Sequence, residues 1–250
     1  MLRFLSKVRK NLIETRQIRR YALYALGEIL LVVIGILLAL QIDTLNTERM
    51  DRKKEILYLK EIRTNLEDDL DNIRYSIDFN LRKDSLVSAA LTDMLEAETD
   101  KAALMAILQK MPVLAEFSIY TQNRVAFDNM LSAENIDLVS NETLRNQLSS
   151  YYAEENLIFG TQDRVKEMTR NFVDHITPLL MNRESIQFFF GVTSEFATAG
   201  DLNFKTNRLI FGDLFGMQRN LESHTAYLKY YQKDIEGLLN RIDEFLDQKG

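Results

Sequence analysis

One acidic residue lies inside the most apolar stretch of the chain, and its position suggests chemistry. Glu28 is the only charged residue between Tyr21 and Ile42. A carboxylate in hydrocarbon costs a few kcal/mol, so such a residue is a candidate for ion coupling. On a helix, Gly35 and Ala39 share its face to within about 20°, and small residues let a second helix approach closely. Three interpretations remain open: an ion-coupling residue, a packing contact with another helix, and a side chain that reaches the lipid headgroups.

The other reactive side chains form no recognisable catalytic or metal-binding pattern. The chain has no Cys and two His residues, His175 and His224, which excludes thiol chemistry and makes a His-rich metal site a poor interpretation. No phosphate-binding loop, nucleophile elbow, zinc-protease motif or dinucleotide fingerprint occurs. We therefore predict a protein that is not an enzyme, with no catalytic residue, no metal and no cofactor.

Acidic residues in the region after the apolar stretch are expected on a solvated surface. Glu61, Asn65 and Asp69 recur at helical spacing, and the run Glu67-Asp68-Asp69 contains three adjacent carboxylates. We expect these groups to face water, which would exclude a buried acid/base pair. His224 falls within an apolar helix seam, where it is either a core histidine or a pH-sensitive contact.

The apolar stretch at residues 21–42 predicts a transmembrane helix. Residues 21–42 would span about 33 Å as a helix, and a bilayer core is about 30 Å thick. A cleavable signal peptide is the alternative, but its apolar region is shorter and ends at small residues. A basic amphipathic cytoplasmic tail at residues 1–20 precedes the span. It either contacts anionic lipid as a helix or is a charge cluster that only sets the orientation of the span. Its cations are Arg3, Lys7, Arg9, Lys10, Arg16, Arg19 and Arg20.

The distribution of charge predicts orientation and excludes one class of partner. The positive-inside bias favours a cytoplasmic N-terminus, an inner-membrane span and a periplasmic remainder. A basic tail beside a membrane is a poor reader of nucleic acid, so we expect no nucleic-acid partner. The expected partners are the lipid bilayer and either a second copy of the chain or another membrane protein.

The remaining sequence predicts long helices. Residues 43–98 form a stalk that continues the span, and its apolar residues suggest an eleven-residue repeat with straight or slightly right-handed packing. These residues are Leu59, Ile62, Leu66, Leu70, Ile73, Ile77 and Leu81. A distal lobe at 99–207 contains helices at 100–111, 121–132 and 141–181. Thr99 or Asp100 is expected to cap the first, Pro112 to stop it, and Ser140 to cap the last.

An aromatic loop is predicted at residues 182–207, with a short hairpin at 187–196. Its candidate partner contacts are Phe188, Phe189, Phe190 and Phe196. The alternative is a plug that packs onto the helical core.

The C-terminal segment, 208–250, has the clearest periodicity. Its apolar positions alternate in steps of four and three, which predicts a seam packed against another helix. They are Met217, Leu221, His224, Leu228, Tyr231, Ile235, Leu238, Ile242 and Phe245. We expect an all-α fold, in which one transmembrane helix continues into an extended bundle and the last helix returns antiparallel in a coiled-coil-like pairing.

Two stretches resemble an uncharacterised family of bacterial single-span membrane proteins. Residues 24–42, YALGEILLVVIGILLALQI, are similar to that family's span. Residues 125–131, VAFDNML, with Leu138, Leu144-Arg145 and Tyr151-Tyr152, are similar to its second recurring stretch. The resemblance implies a short basic N-terminus, one span and a helical extracytoplasmic region, but no activity or ligand. The chain has Asp43-Thr44-Leu45-Asn46 where the family often has Asn-Asn-Trp-Asn, so the interfacial Trp is missing.

Three functions remain open on this sequence. The favoured one is a non-enzymatic interaction or scaffold protein that is anchored in the inner membrane and assembles through its span and its periplasmic bundle. The alternatives are an auxiliary subunit of a transporter, channel or ion-driven complex that uses Glu28, and a periplasmic ligand sensor.

Overall fold

The structure is a computed structural model that describes residues 18–153, 155–196, 198 and 203–249. All regular secondary structure within these residues is helical, which confirms the all-α fold class. The α-helices are α1 Ile18–Glu96, α2 Asp100–Leu108, α3 Met111–Leu114, α4 Val125–Ser132, α5 Glu142–Ala153, α6 Glu155–Leu180, α7 Arg183–Phe190 and α8 Arg208–Lys249. Short 3-10 helices occupy Ile136–Leu138 and Phe204–Thr206. The chain divides into two units, Met1–Ile56 and Leu57–Gly250.

The first unit contains the N-terminal part of α1. Within the described residues, Ala22–Glu96 is the one helix long and apolar enough to cross a membrane, and none of its most apolar window is buried. The helix continues without a break past residue 42, as expected from the lack of Pro and Gly between Thr44 and Lys54. Length and composition alone carry this finding.

The second unit is built on three long helical segments: α1 from Leu57 onward, α6 and α8. Arg63 Nε donates to Asp243 Oδ1 at 2.6 Å, and Gln218 Nε2 donates to Ser88 Oγ at 2.7 Å. Contacts therefore move toward the start of α8 as they move toward the end of α1, which confirms the antiparallel return of the last helix.

The seam of α8 is buried as its periodicity predicts. All nine predicted seam residues, from Met217 to Phe245, are buried. The same steps of four and three extend back through Leu214 to Ile210, which are also buried. Because 3.5 residues per repeat keeps one face toward a partner, α8 packs along the unit over most of its length.

Six of the seven apolar positions predicted for the α1 seam are buried, but the eleven-residue repeat does not extend to the seventh, Leu81. Leu81 is 48% exposed, whereas Asn80 and Lys83 are completely buried. Leu70, Ile77 and Phe79 are 5–7% exposed, whereas the positions that are at most 1% exposed follow a strict alternation of three and four steps, the period of a left-handed pairing. They are Leu59, Ile62, Leu66, Asp69, Ile73, Ser76, Asn80, Lys83, Val87, Ala90 and Met94. The apolar-only pattern missed this register because four of these positions are polar.

Several predicted helix boundaries change. Thr99 caps α2 as expected, since its side chain accepts a hydrogen bond from the Ala102 amide. Pro112 does not stop that helix but lies in the first turn of α3, where its missing N–H costs nothing. Asn141, not Ser140, caps α5, because its Oδ1 accepts from the Leu144 amide at 3.0 Å. The predicted helix at 141–181 is described as α5 and α6, and residue 154 between them lies outside the described residues.

The predicted hairpin at 187–196 is wrong. Residues 183–190 form α7, capped by Asn182, whose side chain accepts from the Ser185 amide. Gly191 ends the helix with a φ of 70°, a left-handed conformation that favours glycine. A cap at each end makes this segment a helix despite its aromatic, strand-like composition.

Candidate functional site

The predicted transmembrane contact residues lie exposed on one helix. Glu28, Gly35 and Ala39 are all exposed, and a Cβ atom added at Gly35 would meet no atom within 4 Å. This face is therefore open to lipid or to another helix, and its predicted packing role stays a prediction. Of the predicted lipid-contacting cations, five lie outside the described residues, and Arg19 and Arg20 lie in the first turn of α1.

The aromatic segment divides into an exposed and a buried part. Phe188, Phe189 and Phe190 are 45%, 49% and 71% exposed on α7, and Phe196 is 53% exposed. Phe204 is completely buried in the core. The plug interpretation therefore holds for Phe204 alone, while the four candidate contact residues remain accessible to a partner.

The interior of the second unit contains a polar layer between two apolar clusters. One cluster includes Ile77, Ile158 and Leu228, and the other includes Val87, Val165 and Leu221. On each long helix, buried polar residues separate the two clusters. We define the polar layer as Asn80, Lys83, Ser118, Thr161, Gln162, His224 and Thr225.

His224 is held in this layer as a neutral imidazole. The hydroxyl of Thr161 donates to the Ile158 carbonyl at 2.8 Å and lies 2.9 Å from His224 Nδ1. Because the hydroxyl proton is committed to the carbonyl, Nδ1 carries the ring proton and donates to Thr161. His224 Nε2 is then a buried acceptor with no partner among the described residues. Burial lowers the pKa of His224 to about 4.

Lys83 is a completely buried amine. Its Nζ donates to the carbonyl of Glu116 and to Thr169 Oγ1, the latter at 2.9 Å. Burial lowers its pKa to about 7, although the charge of the Glu116 carboxylate acts in the opposite direction. The Thr169 hydroxyl donates a hydrogen bond to the Val165 carbonyl at 2.8 Å, so its oxygen accepts the hydrogen bond from Lys83. The amine therefore binds a loop to α6.

A second buried group, the Asp69 network, lies inside the first apolar cluster. Asp69 Oδ1 accepts from the Asn123 amide and Oδ2 accepts from the Tyr151 hydroxyl, each at 2.8 Å. Tyr120 belongs to the same network, since its hydroxyl lies 3.1 Å from that of Tyr151. Burial raises the pKa of Asp69 to about 6, although hydrogen bonds from Asn123, Tyr151 and Tyr120 act to lower it. Gln162 links this network to the polar layer, since its Oε1 accepts from the Tyr120 amide at 2.7 Å.

The solvated position predicted for Asp69 is therefore wrong. Asp69 is completely buried, whereas Glu61, Glu67 and Asp68 are exposed. One signal could have separated Asp69 from its acidic neighbours. It lies seven residues after Ile62 and four before Ile73, which places it in the helix seam.

The structure also pairs His175 with a residue distant in sequence. His175 Nδ1 lies 2.6 Å from Asp213 Oδ2 and joins α6 to α8. No group of three or more His, Asp or Glu side chains within the described residues could hold a metal ion. The buried polar groups join α1 to α6 through Lys83 and Thr169, and α6 to α8 through Thr161 and His224.

The two parts of the second recurring stretch meet in this unit. Phe127 of α4 stacks on Tyr152 of α5 with ring centroids 4.3 Å apart. Arg124, which precedes α4, donates to the Tyr152 carbonyl at 2.5 Å. These two contacts join α4 and the residue before it to α5, although the 3-10 helix Ile136–Leu138 separates the two helices in the sequence.

No curated protein and no solved structure gives a significant match. One family profile matches residues 28–168, from Glu28 in the apolar helix through the Asp69 network to Met168 on α6. Since this match covers more than half of the sequence, the chain belongs to DUF6090, a family of unknown function.

Proposed function

We propose that the protein is a non-enzymatic interaction protein anchored in a bacterial inner membrane by residues 21–42. Its N-terminal tail is cytoplasmic and contacts anionic lipid, and its helical bundle is periplasmic. The bundle and the span assemble with a second copy or with another membrane protein. Family membership is compatible with this role but specifies no activity.

The exposure of the apolar segment is the observation that carries the proposal. Thirteen large aliphatic side chains between Leu23 and Ile42 are 46–73% exposed, and they cover every side of the helix. Burying one such side chain is worth about 1.5–3 kcal/mol, so leaving all of them in water is untenable. A soluble core helix would have one face buried by its own chain. Lipid covers every side at once, which fits this distribution.

Two surfaces are suited to a partner. The face formed by Glu28, Gly35 and Ala39 permits close approach of a second helix, and a carboxyl group there can hydrogen-bond across the contact. Outside the span, the rings of Phe188, Phe189 and Phe190 present apolar area that the bundle does not cover. Aromatic residues of this kind are enriched at the centres of protein interfaces.

Assembly through the span is tested by substitution at its small residue. Gly35→Leu adds bulk to the proposed contact face, and Gly27→Leu adds the same bulk on another face of the helix. Cross-linking in native membranes should give an oligomer or a partner adduct for wild type and Gly27→Leu, and lose it for Gly35→Leu. Equal cross-linking of both variants would contradict assembly through this face.

Glu28 separates the proposed function from its alternative as a subunit of an ion-driven complex. Glu28→Gln keeps the shape and the hydrogen-bonding capacity of the side chain but cannot ionise. We expect assembly to survive this change, because an amide can make the same contact. Loss of a partner's transport activity with intact assembly would instead favour the ion-coupled role.

A further inference from the structure

A groove lies on the second unit between α5 and α8, apart from the exposed phenylalanines. It has a volume of about 310 Å³, within the range of small-ligand sites. Gln147 and Ser150 line one side, and Lys233, Gly237 and Arg241 line the other.

Gly237 makes the groove concave. Lys233, Gly237 and Arg241 are spaced four residues apart, so they lie on one face of α8 with the glycine in the middle. A Cβ atom at Gly237 would meet nothing within 4 Å, so the space left by the missing side chain is open. Glycine inside a helix is less stable than alanine by about 1 kcal/mol. At position 237 the absence of a side chain leaves the groove open.

Two cations and one amide oxygen in the groove have no partner of opposite charge or hydrogen-bonding type among the groove residues. In the part of the chain that the structure describes, neither Lys233 nor Arg241 forms an ion pair, although the whole chain has a net charge of −6. Gln147 Oε1 is buried and has no hydrogen-bond donor among the described residues. Asp234 accepts a hydrogen bond from Tyr230, and burial raises its pKa.

We infer that this groove binds a small organic anion, a carboxylate or phosphate ester that also carries a hydrogen-bond donor. Lys233 and Arg241 bind the anionic group, and Arg241 suits a bidentate contact with it. The carboxylate of Asp234, which also lines the groove, accepts from the hydroxyl or amino group at the other end of the ligand. The wall between them is Tyr151, whose hydroxyl binds Asp69, so an occupant would touch a residue of the Asp69 network.

The charge of the groove can be tested without knowing the ligand, because the chain contains no cysteine. Ser150→Cys places one thiol in the groove, and Ser149→Cys places one on the neighbouring exposed position. Each full-length variant, in nonionic detergent, is treated with an anionic and a cationic methanethiosulfonate. We expect the anionic reagent to be favoured at position 150 over position 149 by about fivefold, and this preference to vanish with Arg241→Met. An equal ratio of rates at the two positions would overturn the inference.

Occupancy is tested by filling the groove. Millimolar citrate, L-glutamate and glycerol 3-phosphate are each offered as protectants of the thiol at position 150, with glucose as the neutral comparison. We expect at least one anion, and not glucose, to slow labelling by tenfold or more in the intact groove. Gly237→Met should abolish that protection, whereas Gly160→Met, at an exposed helical glycine with equally open space, should leave it unchanged.

Two results would contradict the binding site. Lack of protection by all three anions would remove the ligand class, since they share the chemistry that the cations recognise. Protection that survives Gly237→Met would place the binding elsewhere. Neither result depends on whether residues 21–42 cross a membrane, so the site and the proposed function fail separately.

Discussion

The buried carboxyl of Asp69 makes a quantitative prediction about pH. Asp69→Asn keeps the size of the side chain and an oxygen acceptor for the Asn123 amide, but it removes the ionisation. Its effect on the free energy of unfolding should therefore depend on pH, and the direction follows from the raised pKa in the folded chain.

The magnitude comes from the difference between two pKa values. The folded pKa of Asp69 is about 6 and its ordinary value is 3.8. Between these values the folded protein binds more protons than the unfolded chain, so ionisation destabilises the fold as pH rises toward 6. The difference corresponds to about 3 kcal/mol at 1.36 kcal/mol per pKa unit. Asp69→Asn should gain about that much stability relative to wild type between pH 4 and pH 6.5.

His224 provides a mirror-image comparison in the same protein. Its folded pKa of about 4 lies below its ordinary value of 6.5, so wild type loses stability as pH falls through this range. His224→Leu should therefore gain about 3 kcal/mol relative to wild type as pH falls from 6.5 to 4. The two variants should show difference curves of opposite slope, whatever each substitution does to packing.

Urea unfolding of the full-length chain in nonionic detergent, followed by circular dichroism at several pH values, measures both curves. Difference curves that are flat, or that slope the same way, would refute the argument that these two groups are buried as described. A constant offset alone would report packing and would leave the reasoning on ionisation without support.

Three further substitutions test the helix contacts by urea unfolding. The pKa of Lys83 is about 7 in the folded protein and 10.5 ordinarily, so the free energy of unfolding of wild type should rise by at most about 5 kcal/mol between pH 7 and 10.5. Lys83→Met should remove this rise, and a rise that persists in the variant would belong to another group. Asn182→Ala should cost about 1–2 kcal/mol, since its buried side chain caps α7 and donates to Leu179; a neutral result would contradict that cap. Gly216→Leu should lower the free energy of unfolding by about 1–3 kcal/mol, because a Cβ added at this position would lie 3.0 Å from Met168 Sδ. Unchanged stability would show that the Met168 side chain moves aside.

The sequence predicts the parts of the fold in which hydrophobicity follows burial. On α8 eight of the nine predicted seam residues are apolar, so the heptad is legible and the antiparallel partner follows from it. On α1 the seam contains Asp69, Ser76, Asn80 and Lys83, which look identical in type to solvated residues. Following the apolar residues alone predicts that Leu81 is buried, although it is exposed, and does not identify the buried Lys83.

The polar sites could not be predicted because their partners come from distant helices. Thr161 and His224 are 63 residues apart, and Asp69 and Tyr151 are 82 apart. The spacing of Asp69 can place it on the buried face of α1, but periodicity does not identify what covers that face, so its hydrogen-bond donors are known only from the assembled fold. The groove is harder still, since the absence of a side chain at Gly237 leaves no pattern in the sequence.

The central claim, that residues 21–42 cross a membrane and the bundle lies in the periplasm, is tested most directly by paired reporters. Alkaline phosphatase and green fluorescent protein are each fused after Gly250, and both fusions are fractionated. The account predicts membrane-bound protein with active phosphatase and no fluorescence. Bright fluorescence without phosphatase activity, or recovery of the fusions in the soluble fraction, would contradict it.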